Sequence, residues 1–341
     1  MEKVCLYICS TYYHVYIAIL KTWKTGMAAD IIICDNILEY EKLAKRLTAS
    51  NIFRNVIMYS TLGITERKCG KFEYWLNVHR KTKRKIKEHL NIDLNQYNTV
   101  FIFYDGIELG AYLYDSRRNY ILLEDAKDFF KIIADTASSY MIKEPKIKRW
   151  IRKILNYGYF PMGQNRYCKA IEVNDIEDIV IPKKKVTICK KEPLQSELTF
   201  RQKDILLEVF NLKNSLKEIL TGNAVLLLTQ PFYEDGYMKS QEEQKNFYKY
   251  LIANIKKKYT VIVKPHPRDE IDYEIDDANV NIINGDFPIE LLNYSGLFFQ
   301  YAVTISSTSI WGLTCANETI LLGIDFLNRY KKEYGYEKGI N

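Results

Sequence analysis

The hydrophobic positions of this chain fall into short β-branched runs separated by longer stretches with helical spacing. Val4 to Cys9 is an unbroken apolar run of strand length, and Ser10-Thr11 then stands where a helix N-cap belongs. From Tyr12 to Thr25 the apolar residues are spaced for one buried helical face. Ile31 to Cys34 predicts a second strand, Ile37 to Thr48 a second helix and Val56 to Tyr59 a third strand. Val100 to Tyr104 and Tyr120 to Leu123 predict two more. Strands alternating with helices are the pattern of a parallel sheet wrapped by helices.

That periodicity is lost between Asp175 and Glu197, a Lys- and Pro-rich stretch that reads as a connection between domains. It resumes with a helix over Leu198 to Leu220, a strand at Ala224 to Thr229 and a helix over Ser240 to Lys257, where Ser240 and Glu243 have capping-box spacing. A β-branched strand from Val261 follows, then a strand at Val280 to Ile283 and a helix opening at Phe287 to Leu292. Ala302 to Ile305 predicts the last strand, with a helix starting near Ile310. At 341 residues the chain exceeds the usual single-domain size. The expected fold is α/β, with two doubly wound parallel-sheet domains over residues 1–180 and 181–341.

In open α/β sheets ligands sit outside the C-terminal ends of the strands, so the turns there are where chemistry is sought. The strand from Val261 ends in Lys264-Pro265-His266-Pro267-Arg268-Asp269-Glu270. The two prolines hold Lys264 and His266 extended, and a stiffened imidazole among cations suits a phosphate or a leaving oxyanion. Three more turns share its address between a strand and a helix: Gln230 to Gly236, Pro288 to Glu290 and Ser306 to Ser309. Four hydroxyl side chains at a helix N-terminus make a phosphate seat, whereas N-capping alone explains one of them. Glu290 has two readings, a partner for a ribose diol or a helix-dipole contact. In the first half, Ser10-Thr11-Tyr12-Tyr13-His14 replaces a glycine-rich fingerprint, and His14 either lines a cleft or is a partly exposed helix histidine. Glu124 and Asp125 stand at the end of the strand Tyr120 to Leu123.

Composition narrows the partners. A formal charge of +7 is modest for this length, and no nucleic-acid recognition motif is present. Basic residues concentrate at Lys71 to Lys87 and at Lys143 to Lys153 with Trp150, surfaces suited to an anionic leaflet. Seven scattered cysteines, without a CxxC pair, argue for buried thiols in a reducing compartment and against a zinc site. No apolar stretch is long enough to span a bilayer. The expected location is cytoplasmic, peripheral on the inner face of the membrane.

These motifs resemble those of bacterial sialyltransferases. Lys264-Pro265-His266-Pro267-Arg268 is similar to their histidine-proline motif, Ser306 to Ser309 to their serine/threonine motif, and Pro288-Ile289-Glu290 to a proline-x-glutamate that meets ribose. The overall layout is similar to glycosyltransferase family 52, the lipooligosaccharide and capsule sialyltransferase group. The resemblance implies a GT-B-like enzyme, with an acceptor-side N-terminal domain and a donor-side C-terminal domain. It further implies metal-independent, inverting transfer from CMP-sialic acid, which is a substrate, so that no cofactor is expected. His266 would then aid departure of CMP, while Lys264, Arg268, Glu290, Ser306, Ser307 and Thr308 hold the donor. Thr11, His14 and Glu124 are acceptor-side candidates. The acceptor would be a glycan, on a lipid carrier in the fullest form of the resemblance, and a homodimer is allowed.

The base stays open. The family's motif of two acids and a glycine is altered at Glu124-Asp125-Ala126, while Glu234-Asp235-Gly236 has the letters but lies in the second half. Asp125 and Asp235 are both retained as candidates. The rival functions are transfer from another CMP- or CDP-activated donor (Kdo, another nonulosonic acid or a polyol phosphate) and a non-catalytic nucleotide-binding subunit of capsule assembly.

Overall fold

The computed structural model describes residues 3–62, 84–125, 162–176, 185–215, 223–269, 271–273 and 275–334. The expected basic surfaces at 71–83 and 143–153 lie outside them, as do Ala126 and Glu270. The chain divides into two compact units, Met1–Thr199 and Phe200–Asn341.

The first unit is a seven-stranded, all-parallel sheet. Its strands are β1 (Val4–Cys9), β2 (Ala28–Cys34), β3 (Asn55–Tyr59), β4 (Thr99–Ile102), β5 (Tyr120–Leu123), β6 (Cys168–Val173) and β7 (Val186–Ile188). The order β3-β2-β1-β4-β5-β6-β7 reverses between β1 and β4, which opens a crevice at their C-terminal ends. All six residues of β1 are buried, because a central strand covered on both faces has no polar side. Helix α1 (Tyr12–Thr25) starts where Thr11 Oγ1 accepts the His14 N–H and stops at Gly26, whose φ of 63° favours glycine. Helices α2 (Tyr40–Ser50) and α3 (Glu108–Asp115) follow β2 and β4.

The division falls after Thr199, later than the expected 180. Strand β7 pairs with β6, and helix α4 (Lys191–Ser196) packs on α1, so part of the supposed connection completes the first unit. Strand β6 had no counterpart in the sequence reading.

The second unit has five parallel strands: β8 (Ala224–Leu228), β9 (Thr260–Lys264), β10 (Val280–Ile282), β11 (Phe299–Thr304) and β12 (Ala316–Leu321). Their order β10-β9-β8-β11-β12 reverses between β8 and β11. Of the long helix expected from Leu198 to Leu220, residues 216–220 lie outside the described residues; the rest holds α5 (Phe200–Val209) and α6 (Leu212–Ser215), with Asn211 between them at a φ of 56°. Helix α7 (Gln241–Ile255) is capped by Ser240 Oγ, which accepts the Glu243 N–H at 3.2 Å. Glu243 reaches back to the Lys239 N–H at 2.7 Å, one residue beyond the usual capping-box partner. The rings of Phe232, Phe247, Tyr248 and Tyr330 pack together between α7, helix α8 (Ile324–Glu333) and the sheet.

Two expected α-helices in this unit are short 3-10 turns, Ile289–Tyr294 and Thr308–Gly312. The second is brief because β12 must begin at Ala316 to pair with β11. Among the described residues no helix is long and apolar enough to cross a membrane. Cys5, Cys9, Cys34, Cys168 and Cys315 are buried free thiols.

Candidate functional site

The switch point of the second sheet brings two of the four expected turns into direct contact. Gln230, just past β8, accepts the Ser306 N–H at 2.8 Å on Oε1, and the Ser306 hydroxyl donates to the same oxygen. The Gln230 N–H in turn donates to the buried Tyr248 hydroxyl at 2.7 Å. One amide side chain thereby ties the β8 loop to the β11 turn.

The histidine turn joins from β9. Thr229 Oγ1 accepts the His266 N–H at 3.1 Å, and the Asp269 N–H closes the turn on the His266 carbonyl at 2.8 Å. The ring Nδ1 accepts the Arg268 N–H at 3.1 Å, so in the neutral imidazole the proton sits on Nε2. Burial, aided by the Arg268 and Lys264 charges, lowers the His266 pKa to about 4. At neutral pH the ring is therefore an uncharged Nε2–H donor. Arg268 extends outward and pairs with Asp235 at 3.1 Å. Gly236 follows Asp235 at a φ of 76°, so the glycine of Glu234-Asp235-Gly236 is required by the turn.

The segment leading into the turn at 288–290 is fastened to the histidine turn. A Cβ on Gly285 would lie 2.8 Å from the Pro265 carbonyl oxygen, so only glycine permits this approach. Lys264 is buried, with its Nζ donating to the Gly285 carbonyl at 3.1 Å and lying 4.5 Å from the centre of the Phe287 ring. Burial lowers its pKa to about 8, while Glu290 and Asp286 pull the other way. Lys264, expected among the donor-binding residues, is turned inward as a tether to Gly285. Glu290 lies against Gly312, where a Cβ would meet its Cγ at 3.6 Å. Asn293 brackets the same turn, donating to the Gly312 carbonyl at 2.9 Å and accepting the Thr314 N–H at 2.8 Å.

At 306–309 the hydroxyls have different partners. Ser306 is committed to Gln230, and Ser307 and Ser309 share a hydrogen bond at 2.7 Å. Thr308 opens a five-residue 3-10 turn. An aligned α-helix dipole is therefore not built here, and hydroxyl and main-chain donors are what remain for an anion. Among the described residues no group of three or more His, Cys, Asp or Glu side chains gathers as a metal ion would require.

The first unit holds a separate polar cluster at the ends of β1 and β5. His14, expected at a cleft or partly exposed, is fully buried and stacks on Phe103 with ring centres 4.3 Å apart. Its Nδ1 accepts the Ser10 N–H at 3.1 Å, and its Nε2 meets Asp125 Oδ1 at 2.7 Å. The Asp125 side chain is 27% exposed. Thr11 is occupied as the cap of α1. Glu124 is buried, pairing with Lys191 at 3.1 Å and accepting the Asn174 N–H at 3.0 Å, which assigns it to the interior.

Sequence reasoning missed Gln230 as the bridge, together with Thr229, Gln244, Asp269 and Gly285. Thr229 and Asp269 stand inside or beside motifs already singled out, but nothing in their spacing marks them as partners. Asp269 accepts from the Thr229 and Tyr273 hydroxyls and, at 3.1 Å, from the Gln244 amide. Burial raises its pKa, and the hydrogen bonds from Thr229 and Tyr273 oppose that.

The family model described as glycosyltransferase family 52 matches residues 64–322, about three quarters of the chain. An uncharacterized protein of Haemophilus influenzae (strain ATCC 51907 / DSM 11121 / KW20 / Rd) is 28% identical over 184 residues. That match covers 53% of this chain and 58% of the relative, under two thirds of the relative's length. Among solved structures, the glycotransferase of kitacinnamycin superposes with a TM-score of 0.45 at 9% identity, over 98% of this chain and 91% of that one. The glycosyltransferase VinC in complex with dTDP gives 0.39 at 12% identity, over 91% and 77%.

Proposed function

The chain belongs to glycosyltransferase family 52, and from that premise we propose that it moves sialic acid from CMP-sialic acid to a hydroxyl of a cell-surface glycan. In this reading residues 200–341 hold the donor and residues 1–199 the acceptor, in a GT-B-like frame. The observation that carries the proposal is the convergence at the β8/β11 switch point. There the Gln230 loop, the His266 turn and the Ser306 turn are hydrogen-bonded into one rim.

The chemistry is an inverting displacement. The acceptor hydroxyl oxygen forms a bond to the anomeric carbon as the bond from that carbon to the CMP phosphate oxygen breaks. The hydroxyl proton passes to a carboxylate, and the bonding pair leaves with CMP. His266 Nε2–H meets the departing phosphate as a hydrogen-bond donor. The Ser307, Thr308 and Ser309 hydroxyls and the Arg268 guanidinium supply further donors and charge, and Glu290 takes the ribose hydroxyls. Asp235 is the favoured base. It lies on the same rim as His266, is partly exposed, and is held by Arg268 at 3.1 Å. A second reading gives that role to Asp125, favoured by the His14 Nε2 contact at 2.7 Å that orients its carboxylate. No metal has a step in this mechanism. A lipid-carried acceptor presented at an anionic membrane face completes the proposal.

The test is thermal-shift titration with CMP, CDP, UMP, UDP and GDP, with and without EDTA, followed by mass-spectrometric assay of CMP-sialic acid turnover. Stabilisation by CMP, indifferent to EDTA, supports the proposal. Preference for UDP or GDP removes the sialic acid donor. Stabilisation by CMP without turnover of CMP-sialic acid shifts the reading to another CMP- or CDP-linked donor or to a non-catalytic nucleotide binder.

A further inference from the structure

We propose that Asp269 is the positioning residue that sets the separation of His266 and Asp235; the inference rests on the reading of those two as leaving-group donor and base. Neither residue touches Asp269 through its own side chain: His266 is reached through Thr229, and the loop that carries Asp235 is reached through Gln244.

The first arm runs through Thr229. Its hydroxyl donates to Asp269 Oδ2, which fixes the rotor, and the same Oγ1 then accepts the His266 main-chain N–H at 3.1 Å. A hydroxyl whose proton is committed to a carboxylate presents its lone pair in one direction, so the carboxylate determines where the histidine backbone is held. Asp269 adds a direct link, its own N–H closing the turn on the His266 carbonyl at 2.8 Å.

The second arm runs through Gln244 on α7. Asp269 Oδ1 accepts the Gln244 Nε2–H at 3.1 Å, which orients the amide so that its Oε1 accepts the Tyr233 N–H at 2.8 Å. Tyr233 stands two residues before Asp235 in the same loop. The Tyr273 hydroxyl and, at 3.3 Å, the Ile271 N–H donate to the Asp269 carboxylate as well. The two turns come from different strands, β8 and β9, and one carboxylate lies behind both. Reactive groups must be held within a fraction of an ångström, and this carboxylate provides the common reference.

The test compares Asp269→Asn, Thr229→Val, Thr229→Ser and the double variant Asp269→Asn/Thr229→Val in the full chain. Asp269→Asn and Thr229→Val should each lower kcat by about 10²-fold, the scale of a misplaced reacting group, with the donor KM within about threefold. Thr229→Ser, which keeps the hydroxyl, should recover at least tenfold over Thr229→Val. The double variant should be no worse than the more impaired single one, because both act along one path. Four histidines make ring ¹⁵N spectra tractable, and the substrate-free His266 signals should move alike in Asp269→Asn and Thr229→Val. Unchanged kcat, or Thr229→Ser as poor as Thr229→Val with Tm falling in step, overturns the proposal. If the wild type turns over no CMP- or CDP-sugar, the functional reading fails on its own. The ring spectra then decide, and His266 signals indifferent to both variants overturn the positioning role.

Discussion

His266 accepts the main-chain N–H of Arg268 on its ring Nδ1 at 3.1 Å. The bond fixes the neutral tautomer and leaves the proton on Nε2 as the ring's donor, which makes the residue useful to a departing phosphate. His266→Ala should therefore reduce turnover by about 10²- to 10⁴-fold, the range for a lost proton-handling group. Circular dichroism should find the fold intact.

The same histidine gives a pH signature. Its folded pKa is lowered to about 4 from the usual 6.5, chiefly by burial. As pH falls through that window the unfolded chain takes up the proton before the folded one does. The folded state therefore loses stability between pH 6.5 and 4 and regains it above. Denaturant unfolding across pH 4–7 should show a shallower decline in His266→Gln than in the wild type.

Lys264 titrates in the opposite region with the same sense. Burial lowers it to about 8 from 10.5, so between those values the folded chain has released a proton that the unfolded chain still binds. Its contribution to stability rises across that window, which means that the buried charge is a cost at neutral pH. Lys264→Met should leave Tm at pH 7 unchanged or higher. It should raise the donor KM about tenfold, because the 285–290 turn loses its tether. Donor kinetics beside a melting curve check both.

Gly285 tests whether the two turns must touch. An added Cβ would stand 2.8 Å from the Pro265 carbonyl oxygen, a rigid main-chain atom. Gly285→Ala should lower stability by about 1–3 kcal/mol, as overpacking does, read as a drop in denaturant midpoint. Weaker CMP stabilisation should accompany it.

The Arg268–Asp235 pair separates stability from activity. Its side chains are 61% and 37% exposed, and an exposed pair contributes only about 0.2–1 kcal/mol. Arg268→Ala should hardly move Tm, yet turnover should fall. Asp235→Asn should cost about 10²- to 10⁴-fold if Asp235 is the base. A larger loss in Asp125→Asn, with Asp235→Asn mildly affected, transfers the role to Asp125.

Much of this was legible in the letters. An apolar run followed by Ser10-Thr11 specifies β1 and the start of α1 because strand period and cap are both local. The same holds for β8, for β9 ending at His266, and for the cap of α7 at Ser240. The addresses of the four turns followed from the alternation of strand and helix. Local rules did not reveal β12, whose sequence Ala316-Asn317-Glu318-Thr319-Ile320-Leu321 becomes a strand by pairing with β11. Nor did they reveal β7, which exists because β6 offers it an edge. The site divides the same way. His266, Ser306 and Asp235 could be singled out by residue type and position. The inward turn of Lys264, the commitment of Ser306 to Gln230 and the hub at Asp269 depended on partners far along the chain. Period and capping act over a few residues and are written in order. The choice of which polar groups satisfy one another in a desolvated rim is made only when strands distant in sequence are laid side by side.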